Sequence, residues 1–168
     1  MLNRRAVLLG GAIMGTGLSM FGRSWNPFAV TPAEAFEIEK TPDEWRQVLT
    51  REQFAVLRQH ATERPGSSPL NKEHRSGIFA CAGCDLPLFS SETKFESGTG
   101  WPSFWQPLAN AVGETKDTTL MMVRTEVHCA RCGGHLGHVF DDGPKPTGLR
   151  YCMNGVAMTF KPAGAQPT

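Results

Sequence analysis

Two Cys-x-x-Cys pairs constrain this chain more than any other feature: Cys81-Ala82-Gly83-Cys84 and Cys129-Ala130-Arg131-Cys132, with 44 residues between them. At this spacing one tight turn aims both thiols at a single metal ion, and two such turns complete a tetrahedral zinc site. The separation exceeds that of a simple zinc ribbon, so the chain must leave and return through β structure, and the metal would tie together two distant parts of the fold. Glycine at Gly83, Gly133 and Gly134 suits backbone that bends sharply and brings its amides to the thiolates. Two disulfides or a catalytic dithiol are the competing arrangements, although each pair is too close in sequence to gain much from loop closure. Four cysteine ligands leave no open coordination position, so a metal held here is structural and any chemistry lies elsewhere.

The length of 168 residues, with 40% hydrophobic and 20% charged, suffices for one core and is too short for two. The first segment stands apart from that core. Asn3-Arg4-Arg5 precedes a stretch from Ala6 to Gly22 with no charge and five glycines, and Ala33-Glu34-Ala35 offers the small-x-small pattern a signal peptidase cuts. Residues 1–35 are therefore expected to be a twin-arginine export signal, with a mature periplasmic domain from 36 to 168. A permanent anchor is the competing reading, but 17 uncharged residues make a helix of only about 26 Å against a hydrocarbon core of about 30 Å. An exported protein meets an oxidising compartment, which favours disulfides. The twin-arginine route carries proteins already folded, so the thiolates could take up zinc beforehand. Without residues 1–35 the formal net charge passes from +1 to −1, which gives no sign of a nucleic-acid partner.

Thr41-Pro42-Asp43-Glu44 and Thr50-Arg51-Glu52-Gln53 each read as a capping box and predict two short helices. Trp45, Val48 and Leu49 would form the buried face of the first. Phe54, Leu57 and Ala61 would line the second until Pro65-Gly66-Ser67-Ser68-Pro69 stops it. From Gly77 onward short apolar runs, among them Ile78–Ala80, Leu120–Val123 and Val156–Phe160, alternate with glycine, proline and aspartate. They predict a mainly β, antiparallel domain. The Pro/Gly/Ala tail after Lys161 is expected to be loose.

The fifth cysteine, Cys152, has no neighbouring partner. It is a reactive thiol, an intermolecular link or simply a small buried side chain. Arg150 and Asn154, two residues to either side, would share a strand face with it and offer a cation and an amide to the sulfur. An unperturbed thiol is only about 3% ionised at pH 7, so a lowered pKa would matter. His135-Leu136-Gly137-His138, followed by Phe140 and Asp142, is the densest group of proton-carrying side chains; it suits proton delivery, a second metal or hydrogen bonds within a turn. Trp101 and Phe104, in Gly98-Thr99-Gly100-Trp101-Pro102-Ser103-Phe104, suit either the core or the wall of an apolar pocket.

Gly-Thr-Gly-Trp-Pro-Ser-Phe at 98–104, Gly-Gly-His-Leu-Gly-His-Val-Phe at 133–140 and Arg-Tyr-Cys-Met-Asn-Gly at 150–155, in order with both cysteine pairs, resemble the B-type methionine sulfoxide reductases from about residue 41 to 161. The resemblance implies two small antiparallel sheets packed as a β tent, with short N-terminal helices and a structural zinc ion remote from the active site. It implies that the Cys152 thiolate attacks the sulfur of methionine R-sulfoxide and becomes a sulfenic acid. It further implies that His135 and His138 with Asn154 hold or protonate the sulfoxide oxygen through water, that Arg150 supports the thiolate and that Asp142 orients the histidines. Trp101 and Phe140 would receive the substrate methyl. Many relatives carry, where this chain has Thr99, a cysteine that reduces the sulfenic acid. With the other four thiols on zinc, an external thiol, small or thioredoxin-like, is expected to regenerate Cys152. Oxidised exported proteins are the expected substrates and a monomer the expected state. A non-catalytic zinc module and a redox sensor read out by Cys152 oxidation are the rival classes.

Overall fold

The computed structural model describes residues 35–119 and 122–164. The expected export signal, apart from Ala35, lies outside the described residues, as do Leu120, Met121 and the last four residues of the tail.

Both capping boxes form, and each starts a helix. Thr41 accepts from the Glu44 amide while the Glu44 carboxylate accepts from the Thr41 amide, opening α1 (Pro42–Val48); Thr50 and Gln53 do the same for α2 (Arg51–Gln59). Trp45 and Leu49, four apart, face the core, whereas Val48 sits a step round the axis and stays 59% exposed, against expectation. α2 ends well before Pro65. His60 turns left-handed at φ 55°, and the amides of His60 and Ala61 both donate to the Ala55 carbonyl, closing the helix there.

Among the described residues nine strands follow, all paired antiparallel. β1 (Gly77–Cys81) is the centre of a three-stranded sheet, flanked by β2 (Pro87–Ser90) and β9 (Met158–Pro162). The second sheet has six strands in the order β3 (Lys94–Phe95), β4 (Ser103–Phe104), β8 (Arg150–Met153), β7 (His135–Phe140), β6 (Arg124–Cys129) and β5 (Val112–Asp117). This is the mainly β, two-sheet architecture with short helices that the sequence predicts.

Two apolar runs behave differently from expectation. The β5–β6 hairpin closes at the Asp117–Arg124 pair, where the Asp117 carboxylate accepts from the amide and hydroxyl of Thr119. Met122 and Val123 therefore fall in the connecting loop, exposed, rather than in a strand. Val156–Phe160 is split: Gly155–Ala157 is a 3-10 turn and only Met158 onward pairs with β1.

Phe79, Leu88 and Phe89 from the small sheet meet Phe104, Val127, Leu136 and Met153 from the large one, all fully buried. Phe89 stacks on Phe104 at 4.4 Å between centroids and Phe79 meets its edge at 4.9 Å. At about 1.5–3 kcal/mol for each large side chain removed from water, this layer dominates the stability of the domain. Leu57 and Trp45 extend it beneath the helices. Gly137 has a specific role here, because a Cβ at that position would collide with the Cys152 carbonyl oxygen, so glycine is what lets β7 lie against β8.

Candidate active site and metal centre

Strand register assembles the site. Directly opposed residues in an antiparallel sheet share a face, and the pairs Glu126–His138, His138–Cys152 and Cys152–Ser103 form one row across β6, β7, β8 and β4. Two residues along, on the same face, Arg150 opposes Phe140, and its guanidinium lies over that ring at 4.4 Å. His135 and His138 are three residues apart, which in a regular strand would place them on opposite faces. A register shift against β6 between Val127 and His128 gives β7 an extra residue, and the two rings meet edge to face at 5.5 Å.

Each histidine has a carboxylate, though not the expected one. His138 Nε2 lies 2.8 Å from Asp117 Oδ2 and His135 Nδ1 lies 2.7 Å from Glu126 Oε1. Asp142 instead receives a two-pronged bond from Arg150, Nε and Nη2 both at 2.8 Å; it orients the arginine rather than the histidines. Thr119, through its hydroxyl and amide, and then His138 hold the Asp117 carboxyl well below the usual carboxylate range. Burial pushes the His135 imidazole down, against the pull of Glu126, which favours its neutral form. Its Nε2 is buried and has no hydrogen-bond partner among the described residues.

Cys152 is half-buried, and its thiol lies above the ordinary cysteine value rather than below it. Desolvation is the largest influence. A hydrogen bond from Thr99 and the charge and hydrogen bond of Arg150 pull the other way, while the Asp142 charge offsets part of the arginine. Thr99 Oγ1 stands 3.9 Å from the sulfur and begins a chain of hydroxyls, 2.9 Å to Ser97 and a further 2.7 Å to Ser103.

Asn154 does not offer its amide to the sulfur. It is buried, donates to the Leu136 carbonyl and accepts from the Glu63 amide, so it fastens the strand ends around the site. Glu63, invisible to sequence reasoning, joins three parts of the site. Its carbonyl accepts from Trp101 Nε1 at 3.1 Å, and its carboxylate accepts from the amides of Gly155 and Val156 at 2.6 and 3.0 Å, just beyond β8. Trp101 is half-buried, whereas Phe104 from the same motif is core. Asp117 and Glu126 also carried no local signal, because what selects them is the register of β5, β6 and β7, and Ser97 is brought in from the loop between β3 and β4.

The four paired cysteines converge as well. Cys81 ends β1 and Cys129 ends β6, and each starts an equivalent turn: the Asp85 amide donates to the Cys81 carbonyl at 2.8 Å and the Gly133 amide to that of Cys129 at 2.9 Å. The left-handed residues are Asp85, φ 62°, and Gly133, φ 66°; Gly83 is not one of them. Sulfurs approach across the turns, Cys81 to Cys132 at 3.8 Å and Cys84 to Cys129 at 3.4 Å, and all four ligand atoms lie within 4.8 Å of one another. A zinc ion at about 2.3 Å from each sulfur separates them by about 3.8 Å, so the residues fit that ion. A disulfide needs about 2.05 Å, and all four thiols are free. Arg58, stacked on Trp45 at 4.0 Å, donates to the Cys132 sulfur at 3.2 Å, and hydrogen bonds led by that from Cys129 push Cys132 towards thiolate.

A SelR domain model matches residues 49–162 of this sequence. The chain belongs to the SelR/MsrB family. It is 54% identical over 127 residues to a peptide methionine sulfoxide reductase MsrB of Agrobacterium fabrum, covering 75% of this chain and 94% of that protein. A protein of the same name from Pseudomonas putida strain W619 is 57% identical over 127 residues, covering 75% and 96%. One from Methanosarcina barkeri is 55% identical over 125 residues, covering 74% and 88%. The SelR match takes in both cysteine pairs, Thr99, the two histidines and Cys152.

Proposed function

We propose that this protein reduces methionine R-sulfoxide in oxidised polypeptides, with Cys152 as nucleophile and an external thiol as reductant. The observation that carries the reading is the row of Cys152 beside His138, with Thr99 rather than a thiol near the sulfur.

The Cys152 thiolate attacks the sulfoxide sulfur while the oxygen takes a proton from the histidine side of the site. The S–O bond breaks, oxygen passes to Cys152 as a sulfenic acid, and methionine leaves. His138, held by Asp117, and His135, whose buried Nε2 has no partner among the described residues, are the groups placed to handle that proton; Arg150 steadies the thiolate from β8. Trp101 and Phe140 are the half-buried aromatics available to the substrate methyl, and an apolar wall opposite proton donors suffices to select one epimer of a chiral sulfoxide. One thiol then condenses with the sulfenic acid, releasing water and leaving a mixed disulfide; a second thiol displaces Cys152 as thiolate. Cys81, Cys84, Cys129 and Cys132 would hold structural zinc, which joins the two sheets and takes no part in these steps. Export by a twin-arginine signal with cleavage after Ala35 belongs to the same proposal, and would place the repair of exported proteins in the periplasm; N-terminal sequencing of the protein from cell fractions checks it.

Residues 36–168 and Cys152→Ser are assayed for dithiothreitol-dependent reduction of separate R and S epimers of a blocked methionine sulfoxide. R-specific turnover, lost in the variant, is expected. Without reductant, a single methionine per enzyme should form together with a sulfenic acid on Cys152. Equal turnover of both epimers would refute the specificity, and an intramolecular Cys152 disulfide would refute the single-cysteine route.

A further inference from the structure

We propose that His60, Glu126 and His135 form a second metal site, specific for a first-row divalent transition ion, whose occupation switches the reductase off. The inhibitory part rests on the role given above to His135; the site itself does not.

Three separate elements send these side chains to one point: His60 from the left-handed end of α2, Glu126 from β6 and His135 from the irregular start of β7. A single carboxylate oxygen, Glu126 Oε1, lies 3.0 Å from His60 Nδ1 and 2.7 Å from His135 Nδ1. Ligands about 2.1 Å from one ion and at right angles to each other stand about 3.0 Å apart, so both separations suit neighbouring positions on a metal. The three ligand atoms lie within 4.8 Å of one another and the imidazole centroids are 5.1 Å apart.

Two imidazoles and a carboxylate are donors for zinc, cobalt, nickel or iron rather than magnesium or calcium, which require an oxygen shell. The site opens on a cavity of about 670 Å³ that Asp117 and His138 also line, leaving room for water or a further ligand on the ion. His60 is 62% exposed at its side chain, so burial does not hold it in place; its ring is fixed from the sheet by Glu126. An ion on His135 Nδ1 bars that nitrogen from protonation and fixes the remaining ring proton on Nε2, so His135 can no longer be charged and discharged as an acid. The ion's positive charge also lies close to His138, 5.5 Å ring to ring from His135, and Cys152 is left untouched.

The test uses zinc-loaded protein titrated with Co²⁺. One further ion should bind, with d–d absorption in the visible and no thiolate charge-transfer band, and should do so equally in Cys152→Ser. His60→Asn keeps a residue that tolerates the left-handed helix end. It should retain metal-free sulfoxide reduction, bind Co²⁺ at least about tenfold more weakly and resist inhibition by it. No binding beyond the four-cysteine site, undiminished binding in His60→Asn, or a charge-transfer band lost in Cys152→Ser would overturn the proposed site. Reductase activity unaffected by the bound ion would overturn its inhibitory role. A protein that binds Co²⁺ as described yet reduces no sulfoxide would overturn the reaction assigned above and leave the site standing.

Discussion

At Cys152 two physical effects oppose each other, and the larger is desolvation. A half-buried sulfur loses water whichever side chains surround it, and Arg150, partly neutralised by Asp142, does not fully compensate. The resting thiol therefore ionises above the range of an ordinary cysteine. A raised pKa makes the thiolate the minor form at neutrality, so kcat/KM should climb with pH and level off only in the alkaline range. Arg150→Met removes two influences that lower the thiol and leaves the Asp142 charge uncompensated. The ascending limb should move to higher pH, with activity at pH 7 falling about tenfold for each unit of displacement and the alkaline plateau largely retained. Measuring kcat/KM from pH 6 to 10 for both proteins checks this. Equal loss at every pH, with the limb unmoved, would mean that Arg150 acts on the substrate rather than on the sulfur.

Between elements, the segment from Glu63 to the turn after β8 is held by bonds that no local pattern announces. Glu63 accepts two backbone amides on its carboxylate, and a glutamine there has one acceptor oxygen and an NH₂ that faces a donor. Glu63→Gln should cost about 1–2 kcal/mol of stability in urea unfolding. As a positioning residue it should also lower kcat for the sulfoxide several-fold at temperatures far below unfolding, with Glu63→Asp recovering part of it. A loss of stability with kcat and KM unchanged would leave Glu63 a structural role only. The same contrast explains what the sequence could reveal. Capping boxes and Cys-x-x-Cys turns are decided within a few residues, so they were legible. Asp117, Glu126 and Glu63 are chosen by pairings over 9 to 93 residues, and the exchange of Asp142 from histidine to arginine depends on which side chains the β7–β8 register brings opposite. Val48, Met122 and Val123 misled because apolar composition alone does not say where a helix turns or a hairpin closes.

For the whole molecule the decisive fact is where the cysteine turns sit. Cys81 belongs to the small sheet and Cys129 to the large one, and Arg58 on α2 reaches Cys132, so one ion would clamp both sheets and the helical layer. The sulfurs stand at the ends of β1 and β6 and in the turns that follow, while Cys152 lies within β8, flanked by β4 and β7. A metal in that position acts on the fold and reaches the reaction only through it. Structural zinc contributes on the order of 10 kcal/mol in small domains, comparable to the whole net stability of a chain this size. Removing it with a strong chelator, or replacing Cys84 by serine, should therefore leave most molecules unfolded at 37 °C, with loss of near-ultraviolet circular dichroism and of activity together. Activity should return in proportion to zinc restored, reaching its full value at one ion per chain. Folded, active protein without metal would show that the aromatic layer between the sheets is sufficient alone, and that the four thiols serve another purpose.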